Sequence, residues 1–282
     1  MTTLNNIKTI LLLGLLSALF VVGGQALMGE RGLYVGLFFA VLMNFVSFFF
    51  SEKIALSMYR AQRVSETENT QIFYRVGPMV ARLCERMSLP MPKLWVIPEN
   101  SPNAFATGRS PKHSSVAFTY GILELMDDQE LEAVIGHELA HIKHRDILTS
   151  SIAATIGAAI SNLAYVAFFF GGRSDDDDAP NPLVAIGLLI LGPIAAAMIQ
   201  MAISRTREFS ADAAAAKYTG SSSGMIAALR KLEGWSKRIP MHASPATQHM
   251  FIIKPVTGAT IARLFSTHPP TEDRIAALQK LA

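Results

Sequence analysis

The chain has 282 residues, half of them apolar and only 17% charged, with a net charge of +3. A charged fraction well below the roughly 25% of soluble domains points to a membrane protein, and so small a positive charge gives no ground for a nucleic-acid partner. The single cysteine, Cys84, excludes an internal disulfide and a cysteine-based zinc cluster; it reads as a core residue of a helix.

Thr9–Gly29 carries no charge and is rich in Leu and Val, long enough for the roughly 20 residues that cross a bilayer. A second uncharged run, Gly32–Ser51, follows at once, so the first reads as a span rather than a cleaved signal peptide. Glu30 and Arg31 are expected to form a tight loop between them, making residues 1–51 a transmembrane hairpin.

Residues 52–146 differ in kind, with charges of both signs interspersed as on a solvated domain. Ile72, Phe73, Val76, Val80, Leu83, Cys84 and Met87 recur at helical spacing. They predict an amphipathic helix over 70–88, with Pro78 as a kink or a new start. Leu94–Ile97, Asn103–Thr107 and Ser114–Tyr120 read as strands, the last two joined by a turn over Gly108–His113. Asp127, followed three residues on by Glu130, reads as a capping box. It opens a helix whose apolar stripe is Leu131, Val134, Ile135 and Ile142.

Beyond Asp146 the chain turns apolar again. Ile147–Gly172 and Leu183–Ser204 are free of charge and are expected to be a third and a fourth span, making 147–204 a second transmembrane pair. The loop between them, 172–182, carries the run Asp175–Asp178. It reads as a solvated external loop rather than a calcium site, whose ligands must surround the ion. Residues 205–282 hold eleven Lys or Arg against five Asp or Glu, whereas the 172–182 loop holds one Arg against four Asp. By the positive-inside rule the C-terminal part faces the cytoplasm. Four spans then place 52–146 on the same side, so the two soluble stretches can form one cytoplasmic domain.

Within that domain the chemistry gathers on His137-Glu138-Leu139-Ala140-His141. Two histidines four apart lie one helical turn apart on nearly one face and can grip one metal ion. Glu138, about 100° round the helix, is placed to hold a water on that metal. This is the His-Glu-x-x-His pattern of zinc peptidases. A catalytic zinc takes three protein ligands and one open position, so a third ligand must come from elsewhere. His144 returns to the same face but lies about 10 Å from His137 along the helix. Glu208 precedes Asp212 by one turn, so Glu208 can ligate while Asp212 accepts the other ring N–H of a ligand histidine. His268, held by Pro269 and Pro270, can ligate or act as a donor near a substrate oxyanion. Spacing alone leaves the choice open.

The motifs Asn103-Ala-Phe-Ala-Thr-Gly108, His137-Glu-Leu-Ala-His141, Arg207-Glu-Phe-Ser-Ala-Asp212 and Thr267-His-Pro-Pro270 occur in this order among an N-terminal hairpin and two further apolar runs. In this the chain resembles the HtpX-type membrane-bound zinc metalloproteases, relatives of the protease that processes prenylated CAAX proteins. The resemblance implies a predominantly α, integral membrane protein with four transmembrane helices. It also implies a mainly helical, gluzincin-like zinc protease domain carrying a small β-sheet. That domain is divided between 52–146, with the His-Glu-x-x-His helix, and 205–282. It implies one Zn2+ per chain on His137, His141 and Glu208, Glu138 as the catalytic base and Asp212 behind a ligand. Asn103, Ala104, Phe105 and Ala106 are expected to line the cleft and pair with substrate backbone, and His268 to steady the transition state. Residence in the cytoplasmic membrane follows, as do protein or peptide substrates, chiefly misfolded or damaged membrane proteins, in a stress response. Lys143-His144 departs from the family, where small or amide residues are common; the ligands are untouched by it.

Two rival readings remain: a protease with its zinc inside the bilayer, and a zinc-dependent scaffold that does not cut. Charges at Glu130, Glu132, Lys143, Arg145 and Asp146 argue against the first, since charge at membrane depth is costly. Glu138 is what a scaffold would not need.

Overall fold

The computed structural model describes residues 2–150, 152, 155–156, 207–236 and 269–281. The apolar runs beyond residue 156, the acidic loop and His268 lie outside the described residues.

Helix α1 (Thr2–Met58) is two helices meeting at Gly29, at φ 61° and ψ −144°. The loop expected at Glu30 and Arg31 is therefore absent. A single glycine, which adopts positive φ without steric penalty, makes the reversal, and both charged residues are already helical. The halves Asn5–Gln25 and Gly29–Met58 are long and apolar enough to cross a membrane, by length and composition. They pack backbone to backbone, since a Cβ at Gly24 would collide with the Gly32 carbonyl. Asn44 donates to Ser17 Oγ at 2.8 Å, the interhelical bond expected of a polar group in such a run. Leu148, Ile152 and Ile156 pack on Leu12 and Leu16, so the third apolar run starts alongside the hairpin.

The hairpin leads into a four-stranded mixed sheet of order β1–β2–β4–β3. Its strands are β1 (Gln62–Val64), β2 (Lys93–Ile97), β3 (Ala104–Ser110) and β4 (His113–Thr119). β2 and β4 are parallel, and the outer strands are antiparallel to their neighbours. β3 and β4 extend into the expected turn and leave only Pro111 and Lys112 at its tip. Among the described residues β3 is an edge strand, with β4 on one side and the helix of the histidines packed against it.

Helix α2 (Thr70–Met87) turns the predicted stripe inward, with Val76, Val80, Leu83, Cys84 and Met87 buried. Pro78 starts no new helix. It lies on the exposed face, so the Tyr74 carbonyl that loses its partner is turned towards water. Burial pushes the Cys84 thiol up to about 11, as befits a core residue rather than a nucleophile.

After the short α3 (Tyr120–Leu125), helix α4 (Asp128–His144) opens on the expected capping box. Asp127 Oδ1 accepts the Glu130 N–H and Glu130 Oε2 accepts the Asp127 N–H, both at 2.9 Å. Asp127→Ala should therefore lower stability by about 1 kcal/mol, read as a lower unfolding midpoint. The Glu130 N–H also holds the Asp127 carboxyl below its ordinary pKa. A depressed folded pKa means the contribution is complete above the unfolded value, about 3.9, and fades as pH falls through the folded one. The gap between native and Asp127→Ala proteins should thus close only well below pH ~4. A gap that closes near neutrality would contradict the cap assignment.

Leu131, Val134, Ile135 and Leu139 of α4 join one core with Val116 and Phe118 of β4; each such burial contributes about 1.5–3 kcal/mol. The helical residues 207–219 (α5), α6 (Ser223–Ser236) and α7 (Thr271–Gln279) complete the described domain. Gly136 lets α5 come close, because a Cβ there would stand 3.3 Å from Ala215 Cα. α4 ends at Arg145 in the left-handed region, φ 59° and ψ 33°, with its N–H on the His141 and Ile142 carbonyls. A left-handed non-glycine residue costs on the order of 1 kcal/mol. Here it turns the chain so that Asp146 lies back against His141.

Candidate metal centre

α4 presents His137 and His141 on one face, as their spacing predicts, with Nε2 atoms 3.1 Å apart. α5 brings Glu208 to both: its Oε2 lies 3.6 Å from His137 Nε2 and its Oε1 3.6 Å from His141 Nε2. Tetrahedral zinc, with bonds of about 2.0–2.2 Å, spaces its ligand atoms roughly 3.4 Å apart. The two nitrogens and the carboxylate match that spacing and that donor chemistry.

The second nitrogen of each imidazole faces a carboxylate. His137 Nδ1 stands 2.9 Å from Asp212 Oδ1, and His141 Nδ1 3.0 Å from Asp146 Oδ2. An ionised carboxylate only accepts, so each Nδ1 is the nitrogen that carries a proton, and Nε2 turns a lone pair inward whenever its ring is neutral. Two lone pairs and the Glu208 carboxylate then converge on one gap, which is repulsive unless a cation lies between them.

The charge balance says the same. Glu138, Asp146, Glu208 and Asp212 are all buried. Among the described residues Arg207 and Arg274 are the guanidiniums that reach them. Among the described residues these carboxylates outnumber the guanidiniums, and buried charge is costly unless paired. Burial alone drives His137 towards its neutral form, but Asp212 and Glu208 overcome this and take its pKa up to about 10. A proton on His137 offsets part of this excess of negative charge, and a divalent ion would offset more of it.

Arg274 is a residue the sequence reading missed. It is 1% exposed and forks onto Asp212, Nε to Oδ2 at 2.8 Å and Nη2 to Oδ1 at 2.7 Å. Its Nη1 lies 3.4 Å from Glu208 Oε2. Burial pushes the Asp212 carboxyl up, but Arg274 and His137 bring it below its ordinary value. The available signal was a charge at 274 one turn before Leu278, both on the buried stripe of α7. Asp146 was missed too, having been read only as a flanking charge. It lies past the end of α4, where helical spacing says nothing.

Glu138 is buried beside the gap, and its Oε2 accepts the Ala106 N–H at 2.8 Å. Burial, the largest effect, raises its pKa. Ala104 and Ala106 belong to the main core, whereas Phe105 points to the opposite face and packs on Tyr59 at 5.7 Å between ring centroids. Asn103 precedes β3 and is held by Thr119, whose Oγ1 accepts its N–H at 2.8 Å. His144 lies outside the group, its Nδ1 4.0 Å from Asp146.

A model of peptidase family M48 matches residues 71–282. The chain belongs to peptidase family M48. It is 50% identical to a protease HtpX homolog of Ralstonia pickettii over 281 residues, 99% of this chain and 97% of that one. A protease HtpX homolog of Desulforapulum autotrophicum is 48% identical over 280 residues, 98% and 89% of the two chains. The resemblance read from the motifs therefore holds, and the protein is an HtpX-type metalloendopeptidase. Its fold is similar to the crystal structure of S. mikatae Ste24p, with a TM-score of 0.53 at 21% identity. That match covers 98% of this chain and 65% of the longer one. The fold is mostly helical, with the small mixed sheet and two apolar N-terminal helices; for an M48 peptidase the His137, His141 and Glu208 cluster is the candidate metal site.

Proposed function

We propose that the protein is a membrane-anchored zinc endopeptidase in which His137, His141 and Glu208 hold one Zn2+ per chain. The observation that carries this is the convergence of three acceptors on one gap, with both imidazoles backed by carboxylates. When bound, zinc supplies Lewis acidity, lowering the pKa of a water towards about 7 and polarising the scissile carbonyl. Glu138 takes the proton from the attacking water and passes it to the leaving amine; its raised pKa suits both tasks. Asp212 fixes the tautomer of His137. His268 steadies the developing oxyanion.

Ala106 turns its N–H away from β4, towards Glu138. By the two-residue period of a strand, Ala104 shares that outer edge. An extended substrate adds along this edge through the backbone groups that Glu138 does not engage, its side chains largely unread. Asn103 and Phe105 line the cleft by holding this edge in place. Such recognition suits unfolded segments of misfolded or damaged membrane and cytoplasmic proteins.

The catalytic domain is assembled from 52–146 and 205–282, with 1–51 and 147–204 as membrane-spanning pairs and the 172–182 loop outside. Both ends of the hairpin return to the domain: Asn5 reaches Asp146, and Glu52 reaches Ser115. The metal centre therefore stands level with the membrane surface on the cytoplasmic side, not at mid-bilayer depth.

The test uses the full chain in detergent, with zinc content and cleavage of an unfolded protein such as casein followed together. Stripping with a chelator should abolish cleavage, and stoichiometric Zn2+ should restore it. Undiminished cleavage by the stripped protein would overturn the metal assignment. A zinc-loaded chain that cuts no unfolded protein would favour the scaffold.

A further inference from the structure

We propose that Asn5, at the start of the hairpin, is a positioning residue for the metal centre, acting on His141 through Asp146. The inference rests on the reading of His141 as a ligand.

Asp146 faces His141 Nδ1 with one oxygen, but it lies beyond the end of α4, so no helical bond sets its rotamer. Asn5 sets it from outside the domain. Its side-chain Nδ2 donates to Asp146 Oδ1 at 2.7 Å and to the His144 carbonyl at 2.8 Å. An amide nitrogen has two hydrogens, and both are used: one fixes the carboxylate and the other ties it to the last turn of α4. Asn5 is 6% exposed and Asp146 3%, so water does not compete freely for either bond. The rest of the contact is arranged to hold this register. Thr9 meets Thr149 at 3.0 Å, and Arg145 donates to Asn6 Oδ1 at 3.3 Å. Arg207 supports the same group from α5, donating to the Asp146 carbonyl at 2.7 Å.

The two ligand histidines are thus held differently. His137 is backed by Asp212 and the Arg274 fork, both within the catalytic domain. His141 is backed by a carboxylate whose other oxygen takes its hydrogen bond from a neutral amide on the first membrane helix, with Arg207 Nη1 further off at 3.9 Å. Orientation of the second imidazole therefore depends on the anchor being docked.

The experiment compares the native full chain in detergent with Asn5→Ala, Asn5→Asp, Thr9→Val and His141→Ala. Zinc affinity is measured by competition with a chromophoric chelator, beside kcat, KM and the unfolding midpoint. Groups behind metal ligands typically govern about 10–100-fold in metal affinity. Asn5→Ala should weaken zinc by about tenfold and lower kcat rather than KM. Asn5→Asp, which keeps the shape but sets a second carboxylate against Asp146, should weaken it further. Thr9→Val, which removes one bond of the same helix contact and keeps the Asn5–Asp146 bond itself, should weaken zinc far less than Asn5→Ala. A packing role for Asn5 predicts the opposite order, with Asn5→Asp milder than Asn5→Ala; that order, or zinc affinity within twofold of native in both, overturns the proposal. If His141→Ala binds zinc as the native chain does, the ligand reading itself has failed.

Discussion

Glu138→Gln should leave zinc bound at the native level and lower kcat by about 10^3-fold, within the 10^2–10^4 range of general-base catalysis. Gln keeps the shape and still offers an oxygen to the Ala106 N–H, so the bond between α4 and β3 survives. What is lost is the ability to take a proton. Stability should not fall, because the change removes a buried charge whose solvation is already unfavourable. Zinc content, unfolding midpoint and single-turnover cleavage, measured on one preparation, check the three statements together. Turnover close to native in Glu138→Gln would assign the base elsewhere.

Arg274→Met should be the most destabilising single change at the site. It leaves Asp212 and Glu208 buried without their guanidinium, and breaking a buried pair typically costs about 3–5 kcal/mol. Zinc affinity should fall as well, by about 10–100-fold, since Asp212 would no longer be held against His137. Adding Asp212→Asn to Arg274→Met should recover part of the stability, because the stranded charge is then gone, though not the zinc affinity. Simple additivity of the two changes would mean that the fork contributes nothing as a unit.

The parts of the fold that could be read from the chain are those built on local repetition. The capping box, the stripe of α4 and the pairing of His137 with His141 all follow from helical spacing. The single-turn spacing of Glu208 and Asp212 likewise offered them as a ligand and its support, though spacing alone left that choice open beside His144 and His268. What escaped was either too short or tertiary. β1 has three residues, of which only Val64 is buried, so no alternation announces it. The hairpin turn was placed on two charged residues, whereas the backbone freedom of Gly29 makes it. Asn5, Asp146 and Arg274 act through partners distant in the chain or past a helix end, where periodicity carries no information.

The division of the site along the chain has a consequence for biogenesis. His137 and His141 leave the ribosome well before Glu208, and Arg274 follows later still. A nascent chain thus carries both imidazoles and Glu138 but lacks the acidic partner and the guanidinium that join the cluster. Without Glu208 the candidate metal cluster is incomplete, so cleavage is expected only once the late helices dock on α4. The order of synthesis then sets the earliest point at which the cluster can close on a metal ion.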